Sequence, residues 1–444
     1  MKSITNIIFK RHFVLLLLCI IAFVYASSQQ PATKITSNTL INDIDTENLD
    51  DENENENESD TVVVVPDDFD SSLDFLLYSW AVDRNTPSEC LQQLNPIVID
   101  DEYKNRLKKL PHIIEMPFNS AVKSFIEVYT QKRRKEVEYM LGLSKYYFPI
   151  FEEALNAANL PLELKYLPII ESALNPTAIS RAGAGGLWQF MISTGRMYNL
   201  EINSLVDDRF DPIKSTNAAV KYLKDLYSIY GDWNLAIAAY NCGPGNVNKA
   251  IRRSGGKRDF WEIYSYLPRE TRGYVPIFIA ANYTIRYHKE HNLCPTKVRL
   301  SSFTDTVTVN NRIYFDQIVS VLNIPIEELR LLNPQYKKDI VPGDIKPYSI
   351  CLPINYASQF IDKMNEVFAY KSDVFANLRR DETTIPEQSR AVSSKKTTYH
   401  TVKRGQTLSG IAKKYGVSVS QLKSWNRMGK KTKILKGQRL VVGK

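Results

Sequence analysis

Residues 161–194 read PLELKYLPIIESALNPTAISRAGAGGLWQFMIST, and the periodicity of this stretch decides the fold of the region around it. Leu164, Leu167, Glu171 and Leu174 recur at three and four residues, so a helix here carries Glu171 on an otherwise apolar face. Pro168 removes one hydrogen bond from that helix and predicts a kink, and Asn175-Pro176 predicts its end about one turn after Glu171. Burial and the negative end of a helix dipole both disfavour a carboxylate. The expectation is therefore an acid held neutral, the state needed to protonate a glycosidic oxygen. A surface salt bridge at a frayed helix end is the alternative.

Gly183-Ala184-Gly185-Gly186 follows, a segment without large side chains that predicts close approach of backbone to a flat ligand. No Gly-Lys-Ser/Thr comes after it, which excludes a phosphate loop. Trp188, Gln189 and Met191 then offer an aromatic face and an amide, a combination suited to sugars; a core Trp is the competing use.

Helical periodicity extends outward from this stretch over about residues 101–291. Val122, Phe125, Ile126 and Tyr129 share one helix face, and Tyr139, Leu143 and Tyr147 share another. Residues 218–230 form a helix closed by Gly231, and Asp232 caps the next, which Gly243-Pro244 ends. Asp211-Pro212 reads as a helix cap with Pro in the first turn, and Asp207-Asp208 as loop charges, so none of these three is expected as a second catalytic carboxylate.

The C-terminal part repeats itself. Laying residues 305–353 over 398–442 at an offset of 93 places Val309 on Val402, Ile318 on Ile411, Ile324 on Val417, Leu329 on Leu422 and Asn333 on Asn426. Each copy reads as strand, two short helices and closing strand, with Ser418 and Gln421 as a capping box in the second. The second copy holds 12 basic residues and no acidic one.

At the other end, Lys10-Arg11, an apolar run from Phe13 to Tyr25 and Ala26-Ser27-Ser28 describe a secretory signal with cleavage after Ala26. An uncleaved anchor is the alternative. Cys19 sits behind Leu16-Leu17-Leu18 rather than a small residue and is read as apolar filler, not a lipid attachment site. Residues 43–70 hold 13 acidic side chains and no Lys or Arg, a composition that cannot bury enough surface to order itself. Beyond residue 70 the chain has 53 basic and 36 acidic residues. A cationic exported protein points to an anionic polymer or a membrane face and away from nucleic acid. Cys90, Cys242, Cys294 and Cys351 lack C-x-x-C spacing, and five His supply no ligand set, so neither metal nor cofactor is expected. Buried free thiols are the expectation, with a Cys294–Cys351 disulfide the alternative.

Three blocks then fall in order. Glu171-Ser172-x-x-Asn175-Pro176-x-Ala178-x-Ser180-x-x-Gly183-Ala184-x-Gly186-Leu187-x-Gln189-x-Met191 is followed by Ala239-Tyr240-Asn241-x-Gly243-Pro244-Gly245 and by Glu270-Thr271-Arg272-x-Tyr274-Val275. Over about residues 150–290 the chain resembles the lytic transglycosylases of the soluble-lytic type, whose catalytic domains are similar to goose-type lysozyme. Trp188 and the appended repeats resemble the membrane-bound lytic murein transglycosylase D subgroup, and the repeats resemble LysM modules. The resemblance implies a mainly α fold: a goose-lysozyme-like all-α catalytic domain followed by small α+β LysM modules of βααβ form. It implies Glu171 as the single catalytic group, with Ser180, Gln189, Met191, Tyr240, Asn241 and Tyr274 lining the cleft. It also implies glycan contacts from Gly405, Thr407, Asn426 and Ile434 of the second LysM copy. In the first copy Arg312 and Tyr314 replace Gly405 and Thr407, so that copy is read as degenerate.

The expected organisation is a signal at 1–26, an acidic tether at 27–84, a helical extension at 85–150, the catalytic domain at 151–298, a degenerate LysM-like module at 301–356, a helical segment and linker at 357–397, and a LysM module at 398–444. The expected partner is the glycan strand of peptidoglycan, met in the periplasm by a monomer, with membrane attachment if the signal stays uncleaved. A lysozyme-like hydrolase and a non-catalytic wall-binding protein remain as alternatives.

Overall fold

The computed structural model describes Leu73 and residues 95–301, 303–375, 398–403, 405–426, 428, 434 and 438–443. The expected signal and most of the tether lie outside the described residues. No helix among the described residues is long and apolar enough to cross a membrane. Of the described residues, those up to 363 form one compact unit and those from 364 a second.

The first unit is built from α1 (Asp100–Lys109), α2 (Ser120–Glu127), α3 (Arg134–Ala157), α4 (Leu167–Ser172), α5 (Ile192–Met197), α6 (Pro212–Tyr230), α7 (Trp233–Cys242), α8 (Pro244–Arg253), α9 (Phe260–Ile263) and α10 (Arg269–Arg286). Caps set several starts. The Asn119 side chain accepts from Val122 N, Asp211 from Ile213 N and Lys214 N, and Asp232 from Leu235 N. Gly231 closes α6 at φ 66°. In α7, Leu235 through Ala239 are wholly buried, and three of those five are Ala, so neighbouring helices can approach closely. A single apolar core among the described residues runs from Leu73 to Leu332. The expected boundary at residue 150 falls inside α3, and Tyr103 of α1 packs edge-on against Tyr283 of α10 at 5.5 Å. The helical extension thus shares the catalytic domain's core.

His291 clamps this junction. Its ring is buried, stacks with Tyr103, and meets the Tyr283 hydroxyl at 2.9 Å. Burial, with Arg106 and Arg134 nearby, lowers its pKa to about 4. Because the folded value lies below the unfolded one, the neutral ring's stabilising contribution is intact above the ordinary histidine range. It is lost as pH falls from about 6.5 toward about 4, on the order of 3 kcal/mol in all. The melting temperature of the wild type should therefore drop more steeply between pH 7 and pH 4.5 than that of His291→Gln. Parallel curves would refute the clamp.

After the helices come β1 (Thr304–Val309), β2 (Arg312–Tyr314), α11 (Phe315–Leu322), α12 (Ile326–Leu332), β3 (Ile340–Pro342), β4 (Tyr348–Pro353) and α13 (Ile354–Asp362). β1 pairs antiparallel with β4, as the βααβ reading requires; β2 pairs with β3 in a second small sheet that the repeat did not reveal. Helix α13 packs on β1 and β4, so this module continues past the expected end at 356. The second unit starts with α14 (Met364–Ala369) and contains β5 (Thr398–Thr401), α15 (Leu408–Lys414), α16 (Val419–Trp425) and β6 (Arg439–Gly443), with β5 antiparallel to β6.

The same side-chain lock recurs in both copies. Asn333 donates to Leu329 O and Cys351 O and accepts from Cys351 N; Asn426 donates to Leu422 O and Val441 O and accepts from Val441 N. Each ties the second helix to the closing strand. The cysteine expectation needs one correction. Cys242 and Cys351 are free, but Cys294 is disulfide-bonded. Cys351 is held in β4, where its thiol faces Tyr146 and Thr304, so it does not pair with Cys294.

Candidate active site

The segment before Glu171 is not one kinked helix. Residues 162–166 form a 3-10 turn, and Pro168 stands in the first turn of the short α4, where its missing N–H costs nothing. Helix α4 stops one residue after Glu171 because Ala173 and Leu174 both turn left-handed, at φ 51° and 61°. Such conformations cost non-glycine residues about 1–2 kcal/mol each, offset here by full burial of both side chains. The Ser172 hydroxyl reaches Pro168 O at 3.0 Å and Leu187 O at 2.9 Å, fastening the helix end to the glycine-rich segment. Leu164, Leu167 and Leu174 are buried, and Glu171 is half-buried beside them.

Tyr274 of α10 donates a short hydrogen bond to Glu171 Oε1. Tyr274, expected to line the cleft, is 2 % exposed, with its hydroxyl turned to Glu171. Tyr240 of α7 feels the Glu171 charge and donates to Trp188 O at 2.7 Å. Burial, reinforced by the Glu171 carboxylate, pushes both phenols well above their ordinary range. Both remain protonated donors at any physiological pH.

The loop after α4 folds on itself. Ser180 N donates to Ala184 O, Ala184 N to Ser180 Oγ, and Gly186 N to Ala178 O. Gln189, at φ 47°, donates its side-chain amide to Gly186 O at 2.8 Å and to Ala178 O at 3.3 Å. Gly185 and Gly186 are required by packing within the protein. A Cβ on Gly186 would stand 1.9 Å from Arg209 O, and one on Gly185 would meet the Phe210 ring at 3.0 Å. Trp188 is likewise a core residue, wholly buried with its indole N–H on Thr216 Oγ1. Half-buried Met191 precedes α5, and exposed Asn241 accepts from Thr271 Oγ1 at 2.9 Å.

Asp207 and Asp208 stand in the loop before α6, as expected, but both are buried and paired. Asp207 is 1 % exposed and forms a two-pronged pair with buried Arg209, whose guanidinium also donates to Gly183 O at 2.8 Å and Phe190 O at 3.0 Å. Asp208 pairs with Lys214 and accepts from Glu201 N. With Asp211 capping α6, all three carboxylates that might have partnered Glu171 are committed elsewhere. The sequence held no signal for the Asp207–Arg209 brace, because its targets lie 19 and 26 residues away from Arg209.

In the second unit, Gly405 takes φ 83° in an exposed turn, and the Thr407 side chain caps α15 by accepting from Gly410 N. Asn426 is occupied by its backbone lock, and Ile434 packs against the small core. Exposed Tyr399 carries the Arg439 guanidinium over its ring at 4.0 Å.

A helical domain that fastens a half-buried Glu at the end of a short helix, followed by small LysM-type modules, defines a transglycosylase of the SLT class. The Transglycosylase SLT domain matches residues 148–263, the LysM-like domain of lytic transglycosylase MltD matches 303–368, and the LysM domain matches 400–443. Over 334 residues the chain is 31% identical to the membrane-bound lytic murein transglycosylase D of Escherichia coli (strain K12), spanning 74% of this chain and 70% of that protein. The chain belongs to the membrane-bound lytic murein transglycosylase D family. It is also 35% identical over 119 residues to the soluble lytic murein transglycosylase of the same organism, covering 26% of this chain and 18% of that one. Among solved structures, the 70 kDa soluble lytic transglycosylase of Escherichia coli matches at 30% identity with a TM-score of 0.29, over 33% of this chain and 25% of that one.

Proposed function

We propose that this protein cleaves the β-1,4 bond between N-acetylmuramic acid and N-acetylglucosamine in peptidoglycan, with Glu171 as its single general acid and base. The observation that carries the reading is the Glu171 carboxyl itself, half-buried, hydrogen-bonded by Tyr274, with the candidate partner carboxylates engaged elsewhere. Glu171 protonates the leaving glycosidic oxygen while the N-acetyl group of the muramic acid attacks its own anomeric carbon. The resulting carboxylate then takes the proton of the C6 hydroxyl, and that oxygen displaces the acetamido oxygen from the anomeric carbon, closing a 1,6-anhydro ring. No water is consumed. Tyr274, a protonated donor throughout, orients the carboxyl in both steps; Ser180, Gln189, Met191, Tyr240 and Asn241 form the wall of the groove. The chain acts in the cell envelope, where its second LysM module, cationic and with the Gly405–Thr407 turn exposed, holds it to glycan.

Mass spectrometry of digested sacculi tests the chemistry. Products lighter by one water than muropeptides of a hydrolase are expected; hydrated reducing ends would convert the reading to a muramidase. For the anchor, truncation before residue 398 should weaken binding to sacculi by at least about tenfold through lost effective concentration. Turnover on short soluble glycan should survive. Undiminished sacculus binding would remove the anchoring role.

A further inference from the structure

The first LysM-like module meets the helical domain at Tyr146 of α3, which lies against Thr304 and Cys351, and along residues 201–208. Val206 bridges Tyr336 in antiparallel fashion, with Asp207 N donating to Gln335 O at 2.9 Å and Lys337 N to Leu205 O at 2.8 Å. Glu201 accepts from the Tyr348 hydroxyl at 2.8 Å and pairs with Lys346 at 2.8 Å. Tyr336 and Tyr348 are both buried. At the centre of this edge Lys337 Nζ donates to Asn203 O at 2.8 Å and stands 3.4 Å from Asp207 Oδ2. Asp207 is thus gripped from both sides: by Lys337 of the module, and by Arg209, which carries the grip onward to Gly183 O and Phe190 O.

Those two carbonyls bracket the loop that meets the end of α4 through Leu187 and Ser172, one residue after Glu171. The chain of contacts runs from the module to the acid. The positions that would face sugar in a LysM turn are differently used here, since Arg312 pairs with Asp344 at 3.1 Å and lies in β2. We infer that the first LysM-like module is a positioning element of the active site, in which Lys337 steadies the Asp207–Arg209 brace that holds the 183–190 loop against the Glu171 helix. This rests on the proposed role of Glu171.

Lys337 is partly exposed, so replacing it leaves the core intact. Full-length Lys337→Met should turn over isolated sacculi about tenfold more slowly, with KM changed by less than about twofold, since misplacement of the loop acts on reaction geometry rather than on binding. Amide exchange should accelerate at Gly185 and Phe190, whose N–H groups are bonded within the loop, and not in α7 or α10. Lys337→Arg should restore both. A Lys337→Met enzyme with wild-type turnover, or a loss that Lys337→Arg does not recover, overturns the inference. Glu171→Gln run alongside separates the two ideas. Full activity in that variant sinks the assignment of the acid, whereas an inactive Glu171→Gln beside a fully active Lys337→Met sinks only the brace.

Discussion

Glu171→Gln is expected to fold like the wild type and to lose at least about a hundredfold in turnover on isolated sacculi, the low end for removal of a general acid–base group. The amide is nearly isosteric, and its oxygen can still accept the Tyr274 hydrogen bond, so stability should change little. It has no proton to give at neutral pH and no basicity to take one. Among the described residues, the carboxylates weighed as substitutes are engaged elsewhere. Asp207 is locked to Arg209, Asp208 to Lys214, and Asp211 to the start of α6. The phenols of Tyr240 and Tyr274 are pushed too high to act as bases. A variant retaining more than about a tenth of wild-type turnover would mean that another group carries the proton, and the single-acid mechanism would fall.

The burial around Glu171 was legible because its signals are local. Three-and-four spacing marked Leu164, Leu167 and Leu174 as buried beside Glu171, although only Leu167 shares its helix, and side-chain caps announced themselves at Asp211 and Asp232. The Ser418–Gln421 capping box and the Asn333–Asn426 match within the repeat came through for the same reason. What was misread depends on tertiary partners that leave no periodic mark. The glycines at 185 and 186 suggested room for a ligand, yet the space is filled by Arg209 and Phe210. Trp188 suggested a sugar platform, but a Thr216 hydroxyl one helix away makes it a core residue. Tyr274 gave no sign that its hydroxyl would meet Glu171, 103 residues earlier. Pro168 signalled a kink only on the assumption of a continuous helix, and the 3-10 turn before it turns a defect into a helix start.

Gly186→Ala should damage the domain severely for the addition of one carbon atom. Gly186 sits at φ 84°, where an L-residue costs about 1–2 kcal/mol, and its added methyl would lie 1.9 Å from Arg209 O and 2.8 Å from the Arg209 carbonyl carbon. Neither side can yield cheaply. Gly186 N is bonded to Ala178 O, and Arg209 is pinned through its side chain to Asp207, Gly183 and Phe190. Relief of the clash must break part of that buried network, so a destabilisation of about 3 kcal/mol or more is expected, with the melting temperature lowered by about 6–12 °C. Gly183→Ala supplies the control. It has nearly the same backbone angle, φ 85°, but nothing within 4 Å of the new methyl, so only the backbone cost of about 1–2 kcal/mol should appear. Denaturant unfolding of the two variants measures the difference directly, and turnover should track it, nearly lost in Gly186→Ala and largely kept in Gly183→Ala. Equal stabilities would show that the 183–190 loop moves away from Arg209 freely, and that the close approach of these two backbones does not hold the active site in shape.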